Sequence, residues 1–240
     1  MLSSSSCEQQ ARSVVTIDGP SGSGKGTLAA SLAKRLGYAL LDSGALYRVL
    51  GLAASRQGLD PVRDSAAIGA LAASLPLTFG RRPGSDILVE GAVYLAEEDV
   101  SLAIRSDEAS SMASRVAALP DVRAALLERQ RSFQDGSGLV ADGRDMGTTV
   151  FPDAILKVYL TANVEARADR RYKQLIAKGI DANLPALRQQ LEERDARDSE
   201  RSASPLHPAE DAFVIDSTEL SIQQTEAQLE ALARDKGLLS

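Results

Sequence analysis

The run Gly19-Pro20-Ser21-Gly22-Ser23-Gly24-Lys25-Gly26-Thr27 follows a short apolar stretch, Val14-Val15-Thr16-Ile17, and precedes a leucine repeat at Leu28, Leu32 and Leu36. A glycine-rich turn between a buried strand and a helix is the context that a phosphate-binding loop requires. Glycines let the backbone curl so that successive N–H groups point inward as an anion nest. The helix N-terminus adds unpaired donors and the positive end of its dipole. Lys25 is then placed to neutralise charge on the β- and γ-phosphates of a bound nucleotide. A glycine-rich turn that binds nothing is the plainer alternative, and Lys25, Thr27 and the correct flanks argue against it.

Position 26 departs from the usual pattern. Ser or Thr ordinarily follows the lysine and offers its hydroxyl to Mg²⁺. Gly26 has no side chain to offer, and Thr27 comes next. A Mg²⁺ ion is therefore expected to be held mainly by ATP phosphates and water, with no protein side chain as a metal ligand and Thr27 turned toward a phosphate. The Gly-Lys-Gly-Thr form resembles the nucleoside monophosphate kinases more than the GTPases or motor ATPases.

Phosphoryl transfer needs a second anion site. Asp42-Ser43-Gly44-Ala45-Leu46-Tyr47-Arg48 follows a second apolar run, Ala39-Leu40-Leu41. Ser43 at a helix start and Arg48 on that helix can hold a phosphate by charge-assisted hydrogen bonds, although a cap and a solvated arginine read equally well. Asp142-Gly143-Arg144-Asp145-Met146-Gly147 follows another buried strand, Leu139-Val140-Ala141, which puts Arg144 and Asp145 in the crevice beyond the sheet. Asp142 can instead orient metal-bound water, as a Walker-B carboxylate does. Helical spacing sets Arg194, Asp198 and Arg201 on one face; on spacing alone, a solvated helix with internal ion pairs is the plainer reading. Arg167, Arg170 and Arg171 form either a lid over the ATP phosphates or a basic surface. His207, the one histidine, reads as a loop residue. Phosphoryl transfer needs no histidine base, since positioning and charge stabilisation carry it.

The elements that must position these residues follow from the patterning. Short apolar strands alternate with helices, ending in Ile155–Leu160, helices from about Val164 and Leu184, the strand Phe213-Val214-Ile215 and a helix over Ser221–Arg234. This pattern implies an α/β doubly wound parallel sheet with ligands at the carboxyl ends of its strands. The middle reads differently. Leu75–Phe79 and Asp86–Val89 look like hairpin strands, followed by helices over Ser106–Leu119 and from Pro120 to Phe133. The expected organisation is a tail over 1–13, a core over 14–58 and 120–240, and an insert over 59–119.

With 240 residues the chain suits one elaborated domain or two lobes. The formal charge of -6 argues against a nucleic-acid partner, which calls for a basic face. The serine-rich start carries the single cysteine, Cys7, has no signal-peptide core, and is expected to be frayed. No stretch reaches a membrane-spanning length. These features point to a cytoplasmic protein without a membrane partner, expected to be a monomer.

From Val14 to about Lys236 the chain resembles the bacterial cytidylate kinases. The resemblance rests on Thr16-Ile17-Asp18-Gly19-Pro20-Ser21-Gly22, Leu41 to Arg48, Ala141-Asp142-Gly143-Arg144-Asp145-Met146-Gly147-Thr148, Glu193-Arg194-Asp195 with Arg197-Asp198, and Ile215-Asp216-Ser217-Thr218. It implies a P-loop kinase core, an acceptor insert and a short helical lid over about 165–200. The implied partners are the small nucleotides ATP, CMP and dCMP. Ser43, Arg48 and Arg144 would hold the acceptor phosphate, Arg194 and Asp198 the ribose, and Ser114, Arg123, Asp145 and Arg201 the cytosine. Arg170 would belong to the lid over ATP, and Lys25, Arg144 and Arg194 would carry the catalytic charge stabilisation. A carboxylate such as Asp145 can accept from the cytosine amino group and repels the uracil oxygen there. One departure is the segment 90–100, which lacks the glycine turn expected before Asp99-Val100. Competing readings are a related kinase acting on UMP, AMP or a non-nucleotide alcohol, a P-loop nucleotide switch, and a nucleic-acid-dependent ATPase. Asp145 with the Arg194 helix counts against the first, Gly26 against the second, and the acidic charge against the third.

Overall fold

Val14–Asp18 is the middle strand of a five-stranded sheet, and every one of its residues is buried. β-Branched Val14, Val15, Thr16 and Ile17 suit a strand flanked on both edges. The structure, a computed structural model, describes residues 13–85, 88–177 and 179–239. Cys7 and the rest of the serine tail through residue 12, and Asp86 and Ile87 of the expected second hairpin strand, lie outside the described residues.

In chain order the elements are β1 (Val14–Asp18), α1 (Lys25–Leu36), β2 (Ala39–Asp42), α2 (Ser43–Arg56), α3 (Ser65–Ala73), β3 (Leu77–Arg81), β4 (Leu88–Leu95) and β5 (Glu98–Asp99). A 3₁₀ turn (Ala103–Arg105), α4 (Asp107–Val116), α5 (Pro120–Arg131), β6 (Leu139–Gly143) and a π-helical turn (Met146–Val150) follow. The chain continues through β7 (Leu156–Thr161), α6 (Val164–Ala177), α7 (Leu184–Glu200), β8 (Phe213–Asp216) and α8 (Ile222–Asp235). Two compact units result, one running through Asp42 and resuming at Gln130, the other comprising Ser43–Arg129. The second contains the 59–119 stretch together with its flanking helices.

In the first unit the strand order is β2-β6-β1-β7-β8, with every pair parallel. This is the parallel α/β sheet that the alternating pattern implies. One face packs on α1 and α8 through Val15, Ile17, Leu28, Leu32, Val158, Leu160, Ile215 and Leu229. Gly37 ends α1 in the left-handed conformation, and its N–H returns to the last turn. Ser221 and Gln224 close a reciprocal capping box at the start of α8. The second strand is less buried than its apolar run Ala39-Leu40-Leu41 implies. Ala39 and Leu40 are exposed, because β2 is an edge strand with a neighbour on one side only. β8 forms the opposite edge and exposes Phe213 and Val214. Apolar runs of three residues do not separate edge from centre.

The second unit carries the antiparallel sheet β3-β4-β5 and four helices. α2 and α4 approach closely at Gly51, where a Cβ would stand 3.1 Å from the Ala113 nitrogen. α3 has no counterpart in the sequence reading. Its sequence SAAIGALAA is small and apolar all round, so no stripe marks its buried side. Among the described residues, no helix is long and apolar enough to cross a membrane.

The missing glycine of segment 90–100 has a structural answer. β4 turns into β5 at Ala96-Glu97, and Ala96 takes the left-handed position with φ 53°. A Cβ there costs about 1–2 kcal/mol, which glycine avoids at a smaller entropic cost. Ala96→Gly is therefore expected to raise the unfolding free energy by about 0.5–1 kcal/mol, read from the denaturant midpoint. A lowered midpoint would contradict stored strain at this turn.

Candidate active site

β1 delivers the chain to Gly19, whose φ is 150° and where a Cβ would lie 2.0 Å from the Leu160 carbonyl oxygen. Only glycine passes this close to β7. The loop closes at Gly24, left-handed at the N-cap of α1, so the first N–H groups of α1 face the loop. Ser23 is buried, and among the described residues its hydroxyl finds no hydrogen-bond partner. The Lys25 ammonium reaches back to the Pro20 carbonyl at 3.2 Å. Burial lowers its pKa to about 8, Arg144 and Arg194 push the same way, and Asp142 and Asp42 oppose them.

The register explains those neighbours. Asp42 of β2 and Asp142 of β6 are cross-strand partners, and Asp142 also pairs with Ile17 of β1. All three strands run parallel, so their carboxyl ends bring the acidic groups to the phosphate loop. A Cβ on Gly26 would stand 3.2 Å from Asp142 Oδ2. The position where a hydroxyl is usual thus faces a carboxylate instead. Among the described residues, no three His, Cys, Asp or Glu side chains gather as a metal cluster.

Beyond β6 the chain places Arg144 against α7. Its Nε donates to Asp198 Oδ2 at 2.5 Å. Burial disfavours the charged arginine, but Asp198 outweighs it and holds the guanidinium firmly protonated. Asp198 is itself buried; burial works against its charge, yet Arg144, Arg194 and Arg201 together hold its carboxyl below the ordinary range. So α7 is not simply a solvated helix. Its outer side does carry an i,i+4 pair, Arg188–Glu192, while Asp198 turns inward.

Arg201 reaches this group differently from the spacing argument. α7 ends at Glu200, and Arg201 is extended at φ -60°, ψ 140°. The buried arginine donates from Nε to the Ser204 carbonyl at 2.5 Å and lies 3.8 Å from Asp145 Oδ1. Asp145 is buried as well.

The arginines of α6 divide. Arg167 is buried, and its guanidinium donates to the carbonyls of Ala162 (2.9 Å) and Ser21 (3.0 Å) and to Asp195 of α7. It is a strut under the phosphate loop rather than an exposed basic surface. Arg170 donates to the Ser23 carbonyl at 3.4 Å, to Ser217 Oγ at 3.1 Å and to the Ser217 carbonyl. Arg171 is half-buried. His207 is exposed in a loop, with Nδ1 3.0 Å from the Pro208 carbonyl.

The sequence reading missed the strut Arg167–Asp195, and it gave Asp18 no role. Asp18 is a carboxylate closing an apolar strand, and that is the signal that could have marked it. Its two oxygens accept from Met146 N and Gly147 N, each at 2.8 Å. Burial pushes its pKa up to about 7, the two N–H groups pull the other way, and Asp145 and Asp142 add to the rise.

The remaining site candidates belong to the second unit. Ser43 opens α2 and is buried; Arg48 is half-buried on the next turn. Ser114 is buried on α4. Arg123 of α5 is buried with its guanidinium 5.7 Å from the Tyr47 ring centroid, and Nη1 donates to the Ala117 carbonyl at 3.3 Å. Stacking on tyrosine leaves the planar edge of the guanidinium as its hydrogen-bonding side.

The first unit therefore gathers Lys25, Arg144, Arg194 and Arg201 beside an anion nest, which suits a polyphosphate. The cytidylate kinase family profile matches residues 15–234. A cytidylate kinase of Bordetella bronchiseptica is 56% identical over 213 residues, covering 88% of this chain and 91% of the relative. One of Pseudomonas syringae pv. tomato is 56% identical over 214 residues, covering 88% and 90%. One of Stutzerimonas stutzeri is 52% identical over 226 residues, covering 94% and 96%.

A desolvated lysine with a pKa of about 8 is pulled back up when an anion binds beside it. ATP binding at pH 8 is expected to take up about half a proton more in the wild type than in Lys25→Met. Calorimetry in buffers of different ionisation enthalpy measures the difference, and equal uptake by the two proteins would contradict the assignment.

Proposed function

The chain belongs to the cytidylate kinase family, and from that premise we propose that it transfers the γ-phosphoryl group of ATP to CMP or dCMP, giving CDP or dCDP and ADP. The observation that carries this reading is the cationic group Lys25–Arg144–Arg194–Arg201, set with buried Asp145 at the carboxyl end of the sheet.

An α-phosphate oxygen of the acceptor attacks the γ-phosphorus in line, and the bond from that phosphorus to the β,γ-bridging oxygen breaks. Negative charge moves onto the departing ADP. Lys25 and the loop N–H groups hold the β- and γ-oxygens, and Arg144 and Arg194 offset the charge of the two approaching phosphates. Attack needs no strong base, because the acceptor phosphate is already anionic. Asp142, whose carboxylate faces Gly26, would orient the water of a bound Mg²⁺, which would supply further neutralisation of phosphate charge. Thr27 and Arg170 complete the ATP contacts.

Asp145 accepts from the cytosine amino group, with Arg201 donating nearby, and Asp198 and Arg194 hold the ribose. Uracil would set a carbonyl oxygen against the Asp145 carboxylate, leaving buried polar groups unpaired. Ser43, Arg48, Ser114 and Arg123 complete the acceptor contacts in this reading, with 59–119 as acceptor insert and about 165–200 as lid. The single cysteine supports work in the cytoplasm, in pyrimidine nucleotide metabolism, and the protein is read as a monomer.

A coupled ADP-release assay with ATP and Mg²⁺, offering CMP, dCMP, UMP, AMP and GMP separately, is expected to show fast turnover with CMP and dCMP alone. Turnover with another monophosphate keeps the kinase and discards the base pocket. Silence with all five contradicts the reading. Asp145→Ala is expected to erase most of the preference for CMP over UMP; an unchanged ratio of kcat/KM removes Asp145 from base recognition.

A further inference from the structure

Asp18 takes no part in the contacts proposed above, yet it is a buried carboxylate at the junction of two loops. It is the last residue of β1 and precedes Gly19, the first residue of the phosphate loop. In register it lies beside Gly143 of β6 and Tyr159 of β7. Its oxygens take the N–H groups of Met146 and Gly147, one each, at 2.8 Å.

Those two N–H groups open the π-helical turn Met146–Val150. Further along that turn Thr149 and Val150 donate to the Asp145 carbonyl, and Phe151 donates to the Met146 carbonyl. The first N–H groups of a helical turn need an acceptor from outside it, and the side chain at the N-cap usually supplies one. Here the N-cap residue is Asp145, an ideal residue type for the task. Its side chain makes no capping bond and lies 3.8 Å from Arg201 instead. The turn also sits hard against the sheet. A Cβ on Gly147 would stand 2.8 Å from Thr16 Oγ1 and 3.2 Å from Lys157 Cδ.

We propose that Asp18 is a positioning residue for the acceptor: it caps the 146–150 turn from the neighbouring strand, in place of Asp145, and so fixes Arg144 and Asp145 relative to the phosphate loop. The proposal rests on the kinase reading and deepens it. A carboxylate is the one side chain of this length with two equivalent acceptors for two adjacent N–H groups. An N-cap aspartate bound to its own turn would spend its carboxylate on backbone. With Asp18 in that role, the Asp145 carboxylate is not spent on capping its own turn. Both bonds start from the last residue before Gly19, so the ATP loop and the acceptor loop share one anchor.

Asp18→Asn keeps the shape but sets an amide N–H₂ against a backbone N–H. Asp18→Glu keeps both oxygens and displaces them by one methylene. In either variant KM for CMP is expected to rise about tenfold or more, the size of losing a hydrogen bond to a charged group. The ratio of kcat/KM for CMP over UMP falls with it, while KM for ATP changes by less than about twofold. A merely structural role would lower the melting temperature and leave that ratio unchanged, or shift both KM values together. A folded variant with an unchanged CMP to UMP ratio overturns the proposal, and so does the failure of both variants to fold. The wild type, assayed alongside, separates the two readings. If it does not turn over CMP, the functional reading fails; if it does and the variants match it, only the role of Asp18 fails.

Discussion

Positive charge taken out of water at the carboxyl ends of β1, β2 and β6 is the constraint on which the rest of this structure depends. Moving an ammonium or guanidinium into a low-dielectric site costs several kcal/mol even after relaxation. Lys25 and Arg144 both feel that cost. The protein offsets it with carboxylates placed by strand register, Asp42 and Asp142 beside Lys25, and by a helix, Asp198 beside Arg144. The compensation is incomplete at Lys25, whose pKa falls to about 8. A polyanion completes it, and this is the physical basis of affinity at the site.

Keeping such charges apart requires a stiff backbone, and the scaffold supplies it with polar struts. Arg167 joins the Ser21 carbonyl of the phosphate loop to Asp195 of α7, and Arg170 joins the Ser23 carbonyl to Ser217 after β8. Asp18 does the converse with two backbone N–H groups. Each strut ties main-chain groups of a loop to a fixed side chain, so the loops hold their shape before any ligand arrives. Preorganised charge of this kind does not have to rearrange during reaction.

Much of this was legible in the sequence because it is local. The phosphate loop is contiguous, and its glycines, Lys25 and the flanking apolar runs carry the signal together. Arg144 and Asp145 follow a strand end because Leu139-Val140-Ala141 reads as, and forms, a buried strand. What was hidden is what joins distant segments. Arg167 and Asp195 lie on different helices, and spacing within either says nothing of their pairing. Arg201 shares a helical spacing with Arg194 and Asp198, yet it reaches Asp145 by leaving the helix. Edge and centre strands look alike over three or four residues, so Leu40 and Val214 were not distinguishable from Val15. Ala96 occupies a turn position by tertiary demand against its own preference.

Lys25→Ala tests the central claim most directly, by comparing the stability of the ligand-free protein with its ATP-dependent turnover. Removing an incompletely compensated, half-buried charge is expected to leave the ligand-free melting temperature equal to or above that of the wild type. Turnover is expected to fall by about three orders of magnitude, as when a preorganised charge-stabilising group is removed from an active site. Near-normal turnover, or a ligand-free melting temperature well below that of the wild type, would contradict it.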